Sequence, residues 1–501
     1  MLFSFNPLLL PWQIVLLLIL LLLPLLFRMK RGFLNSSKAK TRPLGPTLAK
    51  TPKLINPNAP DKIDKFPIGK RNVEVPKGYD SNLKIKECDP HGGSTPNAMT
   101  FTSVPINADD DQPITECFFF PGSKEVLMKM GRGFPKPLRQ PAKPAFRLNE
   151  KPGMLGSLTS SFLFNFFPGM GMGLFATRAL KTGDLILSDR PLYVGARGVG
   201  VAYPPSLTWE QYQQLALNEL EKCVKVSVMR MRPEAKEAFM ALKNSHKEDG
   251  SGPIVGIIRT NALSVDGLRP GVKDETKSYS AVCKDISRLN HSCSPNTQPC
   301  WNLPSFSFEL FAVRDIAAGE ELTFQYVDVE CSAAARNKAL KPYDFVCTCA
   351  ACKDPKSDAR RAAIRSLGAP TVYTWVFNMM SPDDFVSAQC RRQLALIARE
   401  GLEHLTVYYD LMESMLENYI TLGDAQEASE WAVKMDKCTW VDKPVDVKAL
   451  LDPTSSAYQK HPLWRKRADG PRARDLQGKM QELAALANRD GIIRPYAMLM
   501  M

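Results

Sequence analysis

The spacing of apolar and polar positions divides this chain into regions of different predicted structure. Near the amino terminus, residues 8–27 form one apolar run without a charged side chain. Between about 145 and 326, short β-like runs such as 185–187 and 306–313 are separated by Gly and Pro turns. After Lys356, apolar residues recur every three or four positions, as in amphipathic helices. The pattern predicts an α+β fold with a β-rich centre and an all-α carboxy-terminal region covering 357–501.

A helical insert interrupts the β-rich centre over residues 204–250. Pro233 suits the first position of a second helix in this insert, where its missing N–H costs nothing. Apolar side chains recur at near-helical spacing in the preceding segment, at Leu215, Leu217, Leu220, Val224 and Val228.

The carboxy-terminal region contains one clear helical hairpin. Gly423 suits a helix C-cap and Asp424 an N-cap, so two helices are predicted to meet there. This arrangement is typical of tetratricopeptide-like hairpins, although only one copy is evident, so a full repeat array is not predicted. The first helix carries an apolar stripe that predicts core packing, made by Leu402, Leu405, Tyr408, Met412, Met415 and Tyr419.

Residues 28–144 are predicted to form a basic, Pro-rich and mostly disordered linker, with a hairpin over 114–130. The chain has a net charge of +13, and the stretch 28–75 holds twelve Lys and Arg against three acidic residues. Most of the positive charge therefore lies in this tail. Nucleic acid is an unlikely partner of the folded part, because a basic tail alone does not build a binding surface there.

The apolar run 8–27 is long enough to cross a bilayer as a helix. Arg28, Lys30 and Arg31 follow it and no basic residue precedes it, which places the downstream chain in the cytosol by the positive-inside rule. We expect a single-pass membrane protein. A cleaved signal peptide or a misassigned start codon are the alternatives, and the second would leave a nuclear or cytoplasmic protein.

Three cysteines at short spacing form the strongest single motif. Cys347, Cys349 and Cys352 can place three thiolates around one tetrahedral Zn²⁺. A disulfide between these cysteines would need an oxidising compartment. The predicted cytosolic location of the downstream chain argues against this alternative. The other cysteines are scattered, and the default interpretation of each is a core or free thiol.

Three further motifs precede this cluster along the chain. They are GMGLFAT at 171–177, SRLNHSCSPN at 287–296 and GEELTFQY at 319–326. Together with CTCAAC at 347–352, they resemble the SET domain of protein lysine methyltransferases with its post-SET segment. The resemblance covers about residues 145–355 and is strongest to the SET-and-MYND branch and its fungal-type relatives. It implies a SET domain over 145–326 with a pseudoknot, and a post-SET zinc segment over 340–355.

The resemblance also implies a site for S-adenosyl-L-methionine. Gly171 and Gly173 let backbone groups approach a cofactor closely. The related enzymes use this glycine motif to contact the methionine end of S-adenosyl-L-methionine. Asn290 and His291 match residues that bond its adenine and amino groups, and Tyr343 and Phe345 match aromatic residues that cover it. The cofactor-binding residues carried over are Gly171, Met172, Gly173, Asn261, Ser287, Asn290, His291, Tyr326, Tyr343 and Phe345.

Tyr326 is the predicted catalytic residue. Methyl transfer is an in-line displacement, so positioning and electrostatics supply most of the rate enhancement. A Tyr hydroxyl can align the methyl group through weak C–H···O contacts. It is not an obvious base, since an unperturbed Tyr has a pKa of about 10. The incoming lysine would instead lose its proton to water after its pKa is lowered by desolvation and by the nearby sulfonium.

The fourth zinc ligand implied by the resemblance is Cys293, beside Cys347, Cys349 and Cys352. One departure concerns the MYND zinc module of the related branch. The candidate insert holds only Cys223 and His246, too few for the eight ligands of two zinc ions. The partner-binding role of that module is therefore not carried over.

The sequence thus predicts a protein-lysine N-methyltransferase acting on histone or non-histone lysines. Its implied partners are a protein substrate, a membrane, and proteins bound by the helical carboxy-terminal region. The alternative is a catalytically silent SET-like protein that binds partners through that helical region.

Overall fold

The computed structural model describes residues 74, 85–87, 99–106, 108, 111–120, 123, 126–127, 130, 133–150, 171–198, 206–273, 277–378, 380–441 and 444–470. The predicted membrane anchor and most of the basic segment lie outside these residues. Within them, no helix combines the length and apolar character that crossing a membrane requires.

Strands from distant parts of the chain assemble three sheets. The six-stranded sheet has the order β1-β2-β3-β7-β9-β8, the four-stranded sheet β10-β13-β5-β4 and the three-stranded sheet β11-β12-β6. The strands are β1 Ile85–Glu87, β2 Met99–Val104, β3 Thr115–Phe119, β4 Phe146–Glu150, β5 Met172–Ala176, β6 Leu185–Asp189, β7 Tyr193–Ala196, β8 Leu263–Val265, β9 Tyr279–Val282, β10 Asn290–His291, β11 Thr297–Asn302, β12 Ser307–Ala312 and β13 Glu321–Phe324.

Three of these strands, β1 to β3, lie in the segment predicted to be linker. β3 pairs antiparallel with β2 and parallel with β7, so β2 and β3 belong to the six-stranded sheet. The chain forms strands at these positions instead of linker, and β3 pairs with strands that lie outside the predicted hairpin. All five residues of β3 are buried, which is why the strand has no alternating pattern that the sequence could reveal.

The helical insert contains the two predicted helices and continues beyond residue 250. Helix α1 (Trp209–Arg230) buries Leu217, Leu220 and Val224, and α2 (Pro233–Met240) begins at the predicted proline. Helix α3 (Pro253–Asn261) follows and leads directly into β8. Its apolar residues join the same core as the six-stranded sheet.

The remaining helices form the carboxy-terminal part of the described chain and share a second core with the Cys cluster. Gly423 ends one helix in the left-handed conformation, and the Asp424 carboxylate caps the next by accepting from the Glu427 amide, as predicted. The helices are α4 Ala333–Leu340, α5 Ala350–Lys353, α6 Ser357–Arg365, α7 Val372–Phe377, α8 Phe385–Glu400, α9 Thr406–Leu422, α10 Ala425–Asp436 and α11 Ala457–Lys460.

The architecture is therefore α+β, with antiparallel and mixed small sheets followed by packed helices.

For the site, the important pairing is that of β10 with β13. These strands run parallel, with Asn290 opposite Thr323 and His291 opposite Phe324. On its other side, β13 pairs with β5, with Glu321 opposite Phe175. Three motifs that are far apart in sequence thus lie on adjacent strands.

Candidate active site

The first wall of the site is the start of β5, where close packing requires glycine. A Cβ atom on Gly173 would lie 2.8 Å from Asn290 Nδ2 and 2.9 Å from Glu321 Oε1. Gly171 has a φ of +86° and open space where its Cβ would project. The first glycine therefore supplies backbone conformation, and the second lets β5, β10 and β13 meet.

The Asn290 side chain joins these strands. Its Nδ2 donates to the Met172 carbonyl at 3.2 Å and to Glu321 Oε1 at 2.8 Å. With both amide hydrogens engaged, Oδ1 is the atom that this side chain can offer to a ligand, and it accepts hydrogen bonds. Sequence reasoning missed Glu321, although it lies within a quoted motif. Its carboxylate brings negative charge to the side of the site where a cationic amino group could bind.

Tyr326 stands just beyond the end of β13 and is held at two points. Its hydroxyl donates to the Leu289 carbonyl at 2.6 Å, and its amide N–H donates to His291 Nδ1 at 3.0 Å. Burial, with smaller contributions from Tyr343 and Glu321, raises the pKa of Tyr326 further above its ordinary value. The phenol therefore stays neutral at physiological pH and cannot serve as the general base for a lysine.

Aromatic rings enclose the Tyr326 side chain. Ring centroids lie 4.7 Å away at Tyr343, 5.0 Å at Phe324 and 6.4 Å at Phe345. A small pocket adjoins them. The residues that line it are Thr260, Asn261, Ala262, Ser287, Phe324, Tyr326 and Tyr343.

Two predicted cofactor residues use their side chains to build this pocket. Asn261 Nδ2 donates to the carbonyls of Lys243 at 2.6 Å and Ile257 at 2.7 Å. The Ser287 hydroxyl donates to the Asn261 carbonyl at 3.1 Å and accepts from the Cys283 amide. Both residues line the pocket, but the hydrogen bonds of their donor groups are to the protein backbone.

The four predicted metal ligands converge beside the aromatic wall. The Sγ atoms of Cys293, Cys347, Cys349 and Cys352 all lie within 4.8 Å of one another. Cys293 Sγ is 3.8 Å from that of Cys347 and 3.6 Å from that of Cys352. Four sulfurs at the usual Zn–S distance of 2.3 Å would be about 3.8 Å apart in a tetrahedron. The donor set and its spacing therefore fit one Zn²⁺.

An arginine and a histidine lie beside the cluster. The fully buried Arg336 guanidinium lies 3.5 Å from Cys352 Sγ and adds positive charge there. His291 Nε2 lies 3.3 Å from Cys293 Sγ.

A second arginine missed by sequence reasoning attaches the helical region to this site. Arg361, on α6, is fully buried and donates to the carbonyls of Cys293 at 2.8 Å and Val329 at 2.7 Å. It also donates to Glu400 Oε2 at 2.9 Å and to the Ser294 hydroxyl. A charged side chain inside an otherwise amphipathic helix gives no sequence signal that separates this role from ordinary surface charge.

The two potential ligands in the insert do not form a second cluster in the described part of the chain. Cys223 is fully buried in the core of the insert and the sheet. His246 Nδ1 lies 2.6 Å from Asp249 Oδ2, in a network that includes Arg259. The surroundings of Cys223 and His246 therefore indicate structural roles for both side chains.

The family model of the SET domain matches residues 171–327. This segment runs from Gly171 to the residue after Tyr326 and includes β5, β10 and β13, the strands that build the site. Among curated proteins, the histone-lysine N-methyltransferase set5 of Schizosaccharomyces pombe is 30% identical over 195 residues, which cover 39% of this chain and 51% of that protein.

Shorter matches are found in animals. N-lysine methyltransferase SMYD2-B of Xenopus laevis is 32% identical over 124 residues, covering 24% of this chain and 28% of that protein. Histone-lysine N-methyltransferase SMYD3 of Homo sapiens is 45% identical over 75 residues, covering 15% and 17%. The similarity to the curated relatives thus spans at most about half of their length.

One solved structure, of the SET domain of LSMT bound to lysine and AdoHcy, is 12% identical to this chain. It covers 74% of this chain and 100% of the solved chain with a TM-score of 0.23, too weak a likeness to establish a common arrangement.

Proposed function

We propose that this protein is an S-adenosylmethionine-dependent protein-lysine N-methyltransferase. The observation that carries the proposal is the adjacency of β5, β10 and β13, which brings Gly173 and Asn290 next to the strand that leads to Tyr326, beside a Cys₄ cluster suited to zinc. The relatives reported above are named as histone-lysine N-methyltransferases or N-lysine methyltransferases, which supports this class of reaction.

The residues around the pocket fit the cofactor by their chemistry. S-adenosylmethionine, when bound, supplies the methyl group on a positively charged sulfonium. The Asn290 Oδ1 atom and the Glu321 carboxylate can hold a cationic amino group, and the space at Gly171 leaves room for one. The aromatic rings of Tyr343 and Phe345 can cover an apolar or cationic group, since their faces attract cations.

Tyr326 orients the reacting groups without taking a proton. Its hydroxyl hydrogen is directed to the Leu289 carbonyl, so the oxygen lone pairs are available to polarised C–H groups. The apolar surroundings disfavour the charged form of an incoming lysine and so lower its pKa. The zinc ligands hold the segment with Tyr343 and Phe345 against the pocket, and metal binding would help to assemble this wall.

The experiment is transfer of tritiated methyl groups to a panel of histones and lysate proteins. Wild-type protein should label lysine in at least one substrate, and Tyr326→Phe should lose most of that labelling. Tyr373→Phe, which changes a half-exposed tyrosine outside the site, is the matched control. Cofactor binding without transfer to any substrate would contradict the proposal.

A second candidate function is partner binding through the helical region. An exposed apolar patch favours it, because Phe377 and Met380 are 79% and 82% exposed. Such patches often mark interaction surfaces. This role is compatible with catalysis, and a stable complex that persists in Tyr326→Phe and dissociates in Phe377→Ser would support it.

We also propose the organisation and location of the chain. Residues 145–326, 340–355 and 357–501 would be the SET domain, the zinc segment and the helical region, with the β10–β13 pairing as part of a pseudoknot. Residues 8–27 would anchor the protein in a membrane, with the catalytic part in the cytosol. Their length and the basic residues that follow support this. Release of the protein by alkaline carbonate would contradict it.

A further inference from the structure

The His291 side chain lies between the two halves of the site. Its Nδ1 accepts the Tyr326 amide N–H at 3.0 Å, and its Nε2 lies 3.3 Å from Cys293 Sγ. The residue is only 8% exposed, so the ring has little freedom to take another position. One imidazole thus contacts both a predicted metal ligand and the backbone of the predicted catalytic residue.

The direction of one hydrogen bond fixes the tautomer. A backbone N–H can only donate, so Nδ1 must present its lone pair to Tyr326. In the neutral ring the proton is then on Nε2, which faces Cys293 Sγ. The Nε2–H group is therefore a donor to the sulfur, which accepts best as a metal-bound thiolate.

We infer that His291 is a positioning residue that couples the metal centre to Tyr326. Donation from Nε2 would stabilise the Cys293 thiolate, as outer-shell hydrogen bonds do around metal ligands. Acceptance at Nδ1 fixes the Tyr326 backbone, while the Leu289 carbonyl fixes its hydroxyl. An occupied metal site would thus hold the phenol in place through one ring. The kinetic part of this inference rests on the proposed methyltransferase function.

Two substitutions separate the two contacts. In His291→Asn, the amide oxygen can replace Nδ1 and accept the Tyr326 N–H, but nothing reaches Cys293 Sγ. In His291→Gln, the longer side chain can place an amide donor near Cys293 Sγ, but the Tyr326 N–H loses its acceptor. Both variants retain the backbone groups of residue 291, so a contact made by that backbone is the same in each.

The metal readout does not depend on methyl transfer. In full-length protein titrated with a competing zinc chelator, we expect His291→Asn to bind zinc about tenfold more weakly than wild type, a size typical of outer-shell changes. His291→Gln should lie close to wild type. In the cobalt-substituted protein, the thiolate-to-cobalt charge-transfer band should shift in His291→Asn. Equal zinc affinity and equal bands in both variants would overturn the coupling.

The kinetic readout tests the second contact. In metal-saturated protein, kcat should fall further in His291→Gln than in His291→Asn, because only the former leaves the Tyr326 amide unpaired. The dissociation constant of S-adenosylhomocysteine should change less than kcat. Equal losses of kcat in the two variants would overturn the positioning role.

A measurement on the unaltered protein covers the case in which the variants fail to fold. With ¹⁵N-histidine in the metal-loaded protein, the His291 resonances should show a protonated Nε2 and an unprotonated Nδ1. The opposite tautomer would overturn the inference. If wild type showed this tautomer and tight zinc binding but transferred no methyl group, the proposed function would fail while the link between His291 and the metal centre held.

Discussion

The Tyr326 hydroxyl donates a 2.6 Å hydrogen bond to the backbone carbonyl of Leu289. This bond joins a residue two positions beyond the end of β13 to the residue that precedes β10, so the phenol is fixed by the same strand pairing that carries Asn290 and His291. A side chain held in this way can act on a ligand without rearrangement, which is the main requirement for catalysis by positioning.

Removing this hydroxyl should separate rate from affinity. In Tyr326→Phe we expect kcat to fall about 10²-fold, the size of losing one preorganised polar group at a reacting centre. The dissociation constant of S-adenosylhomocysteine should change only slightly, because the ring and its packing remain. Calorimetry and single-turnover kinetics measure the two quantities. Equal losses of affinity and rate would assign Tyr326 to binding instead.

Gly173→Ala should disturb the strand junction. Its Cβ would come within 3.0 Å of Asn290 and Glu321, so these side chains must move. We expect cofactor affinity to fall at least tenfold and the free energy of unfolding to fall by about 1–3 kcal/mol, as in other overpacked sites. Gly368→Ala is the control, since its Cβ would project into open space. Similar behaviour of the two variants would rule out the close approach.

Arg361→Met should destabilise the contact between the carboxy-terminal helices and the segment that contains Cys293. The change removes a buried guanidinium that bonds Cys293, Val329 and Glu400. We expect a loss of about 3 kcal/mol in the free energy of unfolding, typical of breaking a buried pair. Arg365→Met, on the same helix, breaks a half-exposed pair with Asp328 and should cost about 1 kcal/mol or less. Denaturant titration compares them, and equal losses would contradict the special role of Arg361.

His404 should make the fold sensitive to mild acid. It is buried, its Nε2 lies 3.0 Å from Gln325 Oε1, and burial lowers its pKa to about 3. An unfolded histidine has a pKa of about 6.5 and so binds protons that the folded state does not. Its stabilisation is thus complete above that value and is lost as pH falls from about 6.5 towards 3.

The size of this effect is measurable between two pH values. The slope reaches 1.36 kcal/mol per pH unit only below the unfolded pKa of about 6.5, so His404 should account for about 2 kcal/mol of lost stability between pH 7 and pH 5. His404→Gln can keep a donor to Gln325 and should flatten the curve by that amount. Parallel curves for the two proteins would show that His404 titrates normally.

Zinc content tests the Cys cluster directly. Purified protein should contain about one zinc per chain by elemental analysis, as four thiolates bind one ion. Cys349→Ser should lose most of it. Cys300→Ser is the control, because Cys300 lies outside the cluster and its Sγ bonds the Trp440 carbonyl. A fully active preparation without zinc would refute the metal site.

Local pattern revealed the parts of the fold that bury one face. The cap at Asp424 and the proline that begins α2 follow from capping preferences, and the structure contains both. Of the predicted stripe, Met412 and Met415 are buried in α9, whereas Leu402 and Leu405 precede this helix. The predicted hairpin over 114–130 contains β3, but the partners of this strand could not be predicted. Its place between β2 and β7 depends on tertiary contacts that no local window contains.

The residues of the site also divide into those that the sequence predicted and those that it could not predict. Motif resemblance brought together the Cys ligands, Tyr326 and the glycine segment, which the structure places on adjacent elements. Arg361 and the acceptor role of Leu289 could not be predicted, because a backbone carbonyl has no sequence signature and a buried arginine looks like a surface one. Asn261 and Ser287 line the pocket as expected, yet their donor groups hold the backbone.

The most direct test of the central claim is a crystal structure of the protein with S-adenosylhomocysteine and a lysine peptide. The cofactor sulfur and the lysine nitrogen should lie on opposite sides of the Tyr326 hydroxyl, with the cofactor amino group beside Asn290 and Glu321. A cofactor bound away from Gly171, Gly173 and Tyr326, with zinc absent from the four cysteines, would contradict it.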